Sequence, residues 1–235
     1  MYIYLHGFSS GPGSTKARYI QERFAEIGIT LEVPDLNQDD FTHLTVSRQI
    51  AQVIDLFPPD GSPVTLIGSS LGGWISTIIA QDCPQVERLV LLAPAFDFLN
   101  HWLPKIGESQ LNLWQQTGYL SIYHHAIKSL SPLHYDFLTD ALKYPLCEID
   151  RRLPTVIIHG IHDDVIPIVA SQAFKRDRPW VQLLEWDSDH QLTDASDSLP
   201  ETLCERIWQE IRRFCQLWLV ELWFLTISKV SILTH

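Results

Sequence analysis

The stretch Val64-Thr-Leu-Ile-Gly-Ser-Ser-Leu-Gly-Gly-Trp74 constrains the fold of this chain more than any other. A short β-branched run leads into Gly68-x-Ser70-x-Gly72, and an apolar helical pattern follows at once. A strand that turns sharply into a helix holds the central serine with its hydroxyl exposed. The residues two before and two after it must then be tiny, which accounts for Gly68 and Gly72. The N-terminus of the following helix brings free N–H groups and its positive dipole end to the same spot. Such a turn belongs at the carboxyl edge of a parallel sheet.

The rest of the chain repeats the rhythm that this turn requires. Strands are expected near Tyr2 to Leu5, Thr30 to Val33, Val64 to Ile67, Arg88 to Leu92, Thr155 to His159 and Val181 to Glu185. Amphipathic helices are expected near Thr15 to Ile27, Leu44 to Phe57, Leu71 to Asp82, Ile168 to Phe174 and Glu201 to Leu217. Ser14 is expected to cap the first helix through its hydroxyl, and Pro200 to open the last. The implied class is α/β: a mostly parallel, doubly wound sheet with helices on both faces.

Residues 95–152 interrupt the alternation and are too long for a simple crossover. Their aromatic and apolar content (Phe96, Phe98, Trp102, Trp114 and Phe137 among them) predicts a helical cap insertion. Residues 1–217 are thus read as one domain carrying that cap, with an apolar tail over 218–235. Glu221 and Lys229 interrupt the tail, so it falls short of the roughly 18 uncharged residues of a membrane span. It is expected to pack on the domain or at a contact between copies, with peripheral membrane contact as the alternative.

A serine hydroxyl becomes a nucleophile only when a base takes its proton, and an acid must hold that base in one tautomer. Downstream, Thr-Val-Ile-Ile-His-Gly-Ile-His-Asp163-Asp164 puts two carboxylates just past a hydrophobic strand. Asp-Ser-Asp-His190 then follows the next strand in a polar turn. The candidates are therefore Ser70, His190 and one of Asp163 and Asp164.

Competing chemistries fare worse. The opening loop His6-Gly-Phe-Ser-Ser-Gly-Pro-Gly-Ser-Thr-Lys16 lacks the Gly-Lys step of a phosphate-binding loop. His159 and His162 beside two carboxylates resemble a metal cluster, but His159 ends a strand that fits an acid-bearing loop, so no metal is expected. His124, His125 and His134 are read as surface or packing residues, and Cys83 as a plain thiol. A net charge of −11 disfavours nucleic acid. The four cysteines lack zinc or disulfide spacing, and Met1 leads directly into a strand without a basic leader, so a reduced, cytoplasmic protein is expected.

Together the opening Leu-His-Gly-Phe-Ser-Ser-Gly-Pro-Gly-Ser-Thr-Lys-Ala, the Gly-Ser-Ser-Leu-Gly-Gly-Trp turn, the His-Gly-Ile-His-Asp-Asp-Val-Ile-Pro loop and the Ser-Asp-His-Gln-Leu turn resemble the α/β-hydrolase superfamily. More narrowly they are similar to the YqiA/YcfP-like small bacterial esterase family. The order Ser, Asp, His is that superfamily's order. The resemblance implies an esterase with Ser70 as nucleophile, His190 as base and Asp163 as acid, three positions after the His-Gly glycine. It also implies an oxyanion hole from the N–H groups of Phe8 and Leu71. No cofactor is implied, and the partner expected is a small ester-like molecule with an apolar acyl or aryl group. Thioester and amide cleavage use the same groups, and an inactive binding protein on the same fold is the rival outside enzymology.

Overall fold

The computed structural model describes residues 1–192 and 200–217. Six parallel strands form one sheet: β1 (Tyr2–Leu5), β2 (Leu31–Glu32), β3 (Val64–Ser69), β4 (Val86–Leu92), β7 (Thr155–Gly160) and β8 (Val181–Trp186). Their order is β2-β1-β3-β4-β7-β8. The chain winds from β1 outward to β2, returns, and then builds in the other direction from β3. The crevice at the carboxyl ends of β1 and β3 is therefore the switch point where α/β sheets place their ligands.

Both faces of the sheet are covered, which is why its strands read as continuous apolar runs. In β4, Leu89 and Leu91 join one core while Val90 and Leu92 join the other. The first core also takes α2 (Val46–Ile54), α3 (Leu71–Asp82) and α7 (Val169–Arg176). The second is closed by α1 (Thr15–Glu26), with Ala17, Ile20 and Phe24, and by α8 (Pro200–Phe214), with Ile207, Trp208 and Ile211. Helix α3 is buried along nearly its whole length, from Leu71 to Ala80, because it lies between the sheet and the material above it.

Two local expectations change. Ser14 does precede α1, but its hydroxyl makes no capping bond; its backbone N–H closes a turn onto Gly11 O at 3.1 Å instead. The insertion is not wholly helical. After α4 (Phe98–Ile106) and α5 (Glu108–Thr117) comes an antiparallel hairpin of β5 (Tyr119–His124) and β6 (Ser129–His134), then α6 (Asp136–Ala141) and a single 3-10 turn. The hairpin strands alternate exposed and covered residues, and Pro132 in β6 offers no N–H, which suits a ribbon with free edges.

The hairpin is tied to the body of the protein at both ends. His125 N–H donates to Ser9 O (2.8 Å) and His134 N–H to Thr42 O (2.7 Å). Trp114 of α5 is fully buried and donates its indole N–H to Leu133 O at 2.9 Å. Asp140 of α6 accepts from Ser47 N–H (2.7 Å) and Ser47 Oγ (2.6 Å) in the first turn of α2. The carboxylate thereby satisfies an amide that a helix start leaves without an intrahelical partner.

Candidate active site

Ser70 sits between β3 and α3 with φ 53° and ψ −118°, a conformation that costs a non-glycine residue roughly 1–3 kcal/mol. The surrounding backbone holds it there. Ser70 N–H donates to Leu92 O, while Ala95 and Gly73 N–H donate to Ser70 O, each at 2.9 Å. A Cβ on Gly68 would stand 2.4 Å from Gly72 O, and one on Gly72 would stand 2.2 Å from Leu5 O. The two glycines thus let α3 press against its own strand and against the end of β1, which brings the opening loop to the serine.

That loop arrives with its backbone oriented. Leu36 N–H donates to His6 Nε2 (3.0 Å), so Nε2 is an acceptor and Nδ1 carries the hydrogen, which goes to Gly7 O at 2.9 Å. Gly7 O and Phe8 N–H belong to one trans peptide and point in opposite directions. By holding the oxygen, His6 aims the amide the other way. Gly7 lies directly against the serine: a Cβ there would be 3.2 Å from Ser70 Cβ and 3.8 Å from Ser70 Oγ. Leu71, the first residue of α3, supplies a second N–H that has no intrahelical acceptor.

The other two candidates come from β7 and β8. Ser70 Oγ lies 3.1 Å from His190 Nε2, and His190 Nδ1 lies 2.7 Å from Asp163 Oδ2. Asp163 is buried, whereas Asp164 is exposed and takes Lys105 Nζ on its backbone oxygen at 2.7 Å. Of the two carboxylates it is Asp163 that stands against the imidazole. The loops bearing Asp163 and His190 touch through their backbones: Ile161 N–H donates to Trp186 O (2.8 Å) and His162 N–H to Ser188 O (3.0 Å). A Cβ on Gly160 would come within 2.3 Å of Ser188 O, so only glycine admits the histidine loop this closely. Beyond His190, Lys16 Nζ donates to Gln191 O at 3.1 Å.

The Asp163 carboxylate is saturated with donors. Oδ1 accepts from Val165 N–H (2.9 Å) and Ile166 N–H (2.7 Å), and Oδ2 accepts from His190 and from His159 Nε2 at 3.0 Å. Burial alone would raise its pKa. The hydrogen bonds from His159 and His190, the charge of His190 and the Ile166 amide outweigh burial and hold the carboxyl well below the usual range. Asp163 stays ionised at any ordinary pH.

The insertion meets the opening loop at Phe8. Its ring packs against Phe41 (5.6 Å between centroids) and against Phe98 (6.1 Å), Trp102 (5.6 Å) and Phe137 (5.3 Å) of the insertion. The opening loop is thereby packed onto the insertion by a cluster of aromatic rings.

The model of the uncharacterised protein family UPF0227 matches residues 1–204. The chain belongs to this family. This UPF0227 protein is 26% identical over 217 residues to the human mitochondrial palmitoyl-protein thioesterase ABHD10, covering 83% of this chain and 68% of that one. Among solved structures, a candidate hydrolase from Agrobacterium vitis S4 aligns with a TM-score of 0.76 and 26% identity over 91% of this chain and 87% of that one. The ferulic acid complex of Est1E from Butyrivibrio proteoclasticus aligns with a TM-score of 0.72 and 18% identity over 92% and 89%, a likeness of fold. The UPF0227 protein is thus YqiA-like, with the α/β-hydrolase fold, and is an esterase-like enzyme.

Of the residues singled out from the sequence, Ser70, Asp163 and His190 lie within hydrogen-bonding distance of one another in turn, Asp164 lies apart from them, and Phe8 and Leu71 border them. Two neighbours were given no part in the site by the sequence reading: His6, whose Nδ1–H goes to Gly7 O, and His159, which touches the acid. Both lie in a His-Gly pair at the end of a strand, a repeated signal that could have marked them. His124 is buried against Phe41, 4.6 Å between ring centroids, a packing role. Among the described residues no helix is long and apolar enough to cross a membrane. The tail 218–235 lies outside the described residues.

Proposed function

We propose that the UPF0227 protein hydrolyses carboxylic esters through an acyl-enzyme, with Ser70 as nucleophile, His190 as base and then acid, and Asp163 as the group that orients and stabilises the imidazolium. The observation that carries this reading is the unbroken relay Ser70 Oγ to His190 Nε2 at 3.1 Å and His190 Nδ1 to Asp163 Oδ2 at 2.7 Å. His190 takes the Ser70 proton as Oγ attacks the carbonyl carbon. The resulting oxyanion sits between the Phe8 and Leu71 amides, the first aimed by His6 and the second backed by the α3 dipole. Losing one such donor typically costs about 100- to 1000-fold in rate. The imidazolium then protonates the leaving alcohol, and a water molecule activated by the same histidine releases the acid.

Phe8, Phe98, Trp102 and Phe137 support an apolar acyl or aryl group as the part of the substrate held beside Ser70. In this reading residues 1–217 act as one domain, and 95–152 form the cap over its site. Cys83, Cys147, Cys204 and Cys215 are all unpaired, in keeping with a reducing compartment such as the cytoplasm. The thioesterase relatives favour a second reading, cleavage of acyl thioesters by the same groups.

A fluorophosphonate probe and a series of p-nitrophenyl esters and acyl thioesters of graded chain length test both readings. Wild type is expected to take the label and to turn over at least one series, while Ser70→Ala does neither. No labelling and no turnover above Ser70→Ala would overturn the assignment.

A further inference from the structure

Asp163 Oδ2 faces two imidazoles. His190 Nδ1 approaches it at 2.7 Å, and His159 Nε2 approaches the same oxygen at 3.0 Å. His159 is fully buried at the end of β7 and has no part in the steps proposed above. Its protonation follows from its neighbours. Nε2 also lies 3.0 Å from Ile166 O; a carbonyl and a carboxylate can only accept, so Nε2 carries a hydrogen. Nδ1 lies 2.8 Å from Ser171 Oγ, also fully buried, whose hydroxyl can donate to it. The arrangement is that of an imidazole whose Nε2–H is shared between Asp163 Oδ2 and Ile166 O.

We propose that His159 is a positioning residue for the acid: its Nε2–H occupies one lone pair of Asp163 Oδ2 and offers His190 a carboxylate fixed in direction and weakened as an acceptor. The inference rests on the triad reading above. With Val165 and Ile166 N–H on Oδ1 and both imidazoles on Oδ2, the carboxylate has no better rotamer to adopt. The His159 hydrogen also draws on the electron density that would otherwise stabilise the His190 imidazolium. The base therefore gives up its surplus proton more readily, and activity extends to lower pH.

Among the described residues the other ionisable groups around the pair are few. Lys16 of α1 donates to Gln191 O and lies within electrostatic reach of Asp163, Asp189 and Cys204 of α8; burial lowers its pKa. Asp189 adjoins His190 in the chain. The exposed His162 and Asp187 pair at 2.8 Å on the two neighbouring loops. None of these is altered in the test.

The test compares kcat/KM against pH for wild type, His159→Leu and His159→Gln, together with imidazole nitrogen NMR of the wild type. Part of one hydrogen bond to the carboxylate, about half to one pH unit, is passed on to His190, so the acid limb should move up by that amount in His159→Leu. His159→Gln, which keeps an N–H donor, should recover most of the shift. The NMR spectrum should show a hydrogen on His159 Nε2 at the pH of maximal activity. An acid limb unmoved in both variants while the rate falls would reduce His159 to packing and overturn the proposal. A His159 without a hydrogen on Nε2 in the wild type would do the same without recourse to any variant. Should wild type take no fluorophosphonate, the triad reading fails, and this inference with it; a labelled enzyme with an unmoved limb rejects the inference alone.

Discussion

At the scale of single residues, the two adjacent carboxylates Asp163 and Asp164 separate cleanly. Asp163 is buried and meets four donors, whereas Asp164 is exposed. Asp163→Asn is expected to lower kcat by about 10⁴-fold, because the amide favours the wrong histidine tautomer. Asp164→Asn should leave the steady-state rate near wild type. The same carboxylate contributes to stability with a definite pH sign. Its pKa lies below the unfolded value, so its contribution is complete above the ordinary carboxylate range of about 4 and fades as the pH falls through the lower folded value. Thermal unfolding of wild type and Asp163→Asn at pH 7 and pH 3 should show the wild-type advantage shrinking at pH 3. Chain order and strand ends made Ser70, His190 and the pair Asp163 and Asp164 legible in the sequence; only the family resemblance preferred Asp163, because both carboxylates follow the same strand and differ in burial. Sequence did not make His6 or His159 legible, because their roles lie in which ring nitrogen meets which carbonyl, a matter of distance.

At the scale of elements, the sheet strands were legible and the cap hairpin was not. A strand buried on both faces shows as an apolar run such as Val-Leu-Leu in β4, whereas β5 and β6 carry Ser121, Ser129, Ser131 and Pro132 among their apolar residues and leave Tyr119, Tyr123 and Leu130 exposed. Their identity as strands comes from pairing with one another and from docking on the loops at Ser9 and Thr42. The cap is fastened below by Asp140, which α6 presents to the start of α2. Burial disfavours its charge, but the bonds from Ser47 and Lys143 outweigh burial and hold its pKa below the usual value. Asp140→Ala removes charge-assisted bonds from a buried site and is expected to cost about 2 kcal/mol in urea unfolding. Because α6 also carries Phe137, which packs on Phe8, the same change should raise KM for long acyl esters more than for acetyl esters.

At the scale of the whole molecule, the groups proposed for catalysis are drawn from distant parts of the chain. The opening loop follows β1 and the serine follows β3, on neighbouring strands at the middle of the sheet. The acid follows β7 and the base follows β8, which among the described residues pairs only with β7 and forms one border of the sheet. A border strand frays at a lower free energy than the centre, and when β8 lifts, His190 leaves with it while Ser70 keeps its bonds to Leu92 and Ala95. Activity is thus a gauge of one edge rather than of the whole fold. In rising urea, fluorophosphonate labelling of Ser70 should decline before far-ultraviolet circular dichroism reports loss of the sheet. Coincident transitions would mean that β8 melts only with the centre. If labelling declines first, the enzyme's working range is set by the cohesion of a border strand, well inside the limit at which the molecule as a whole comes apart.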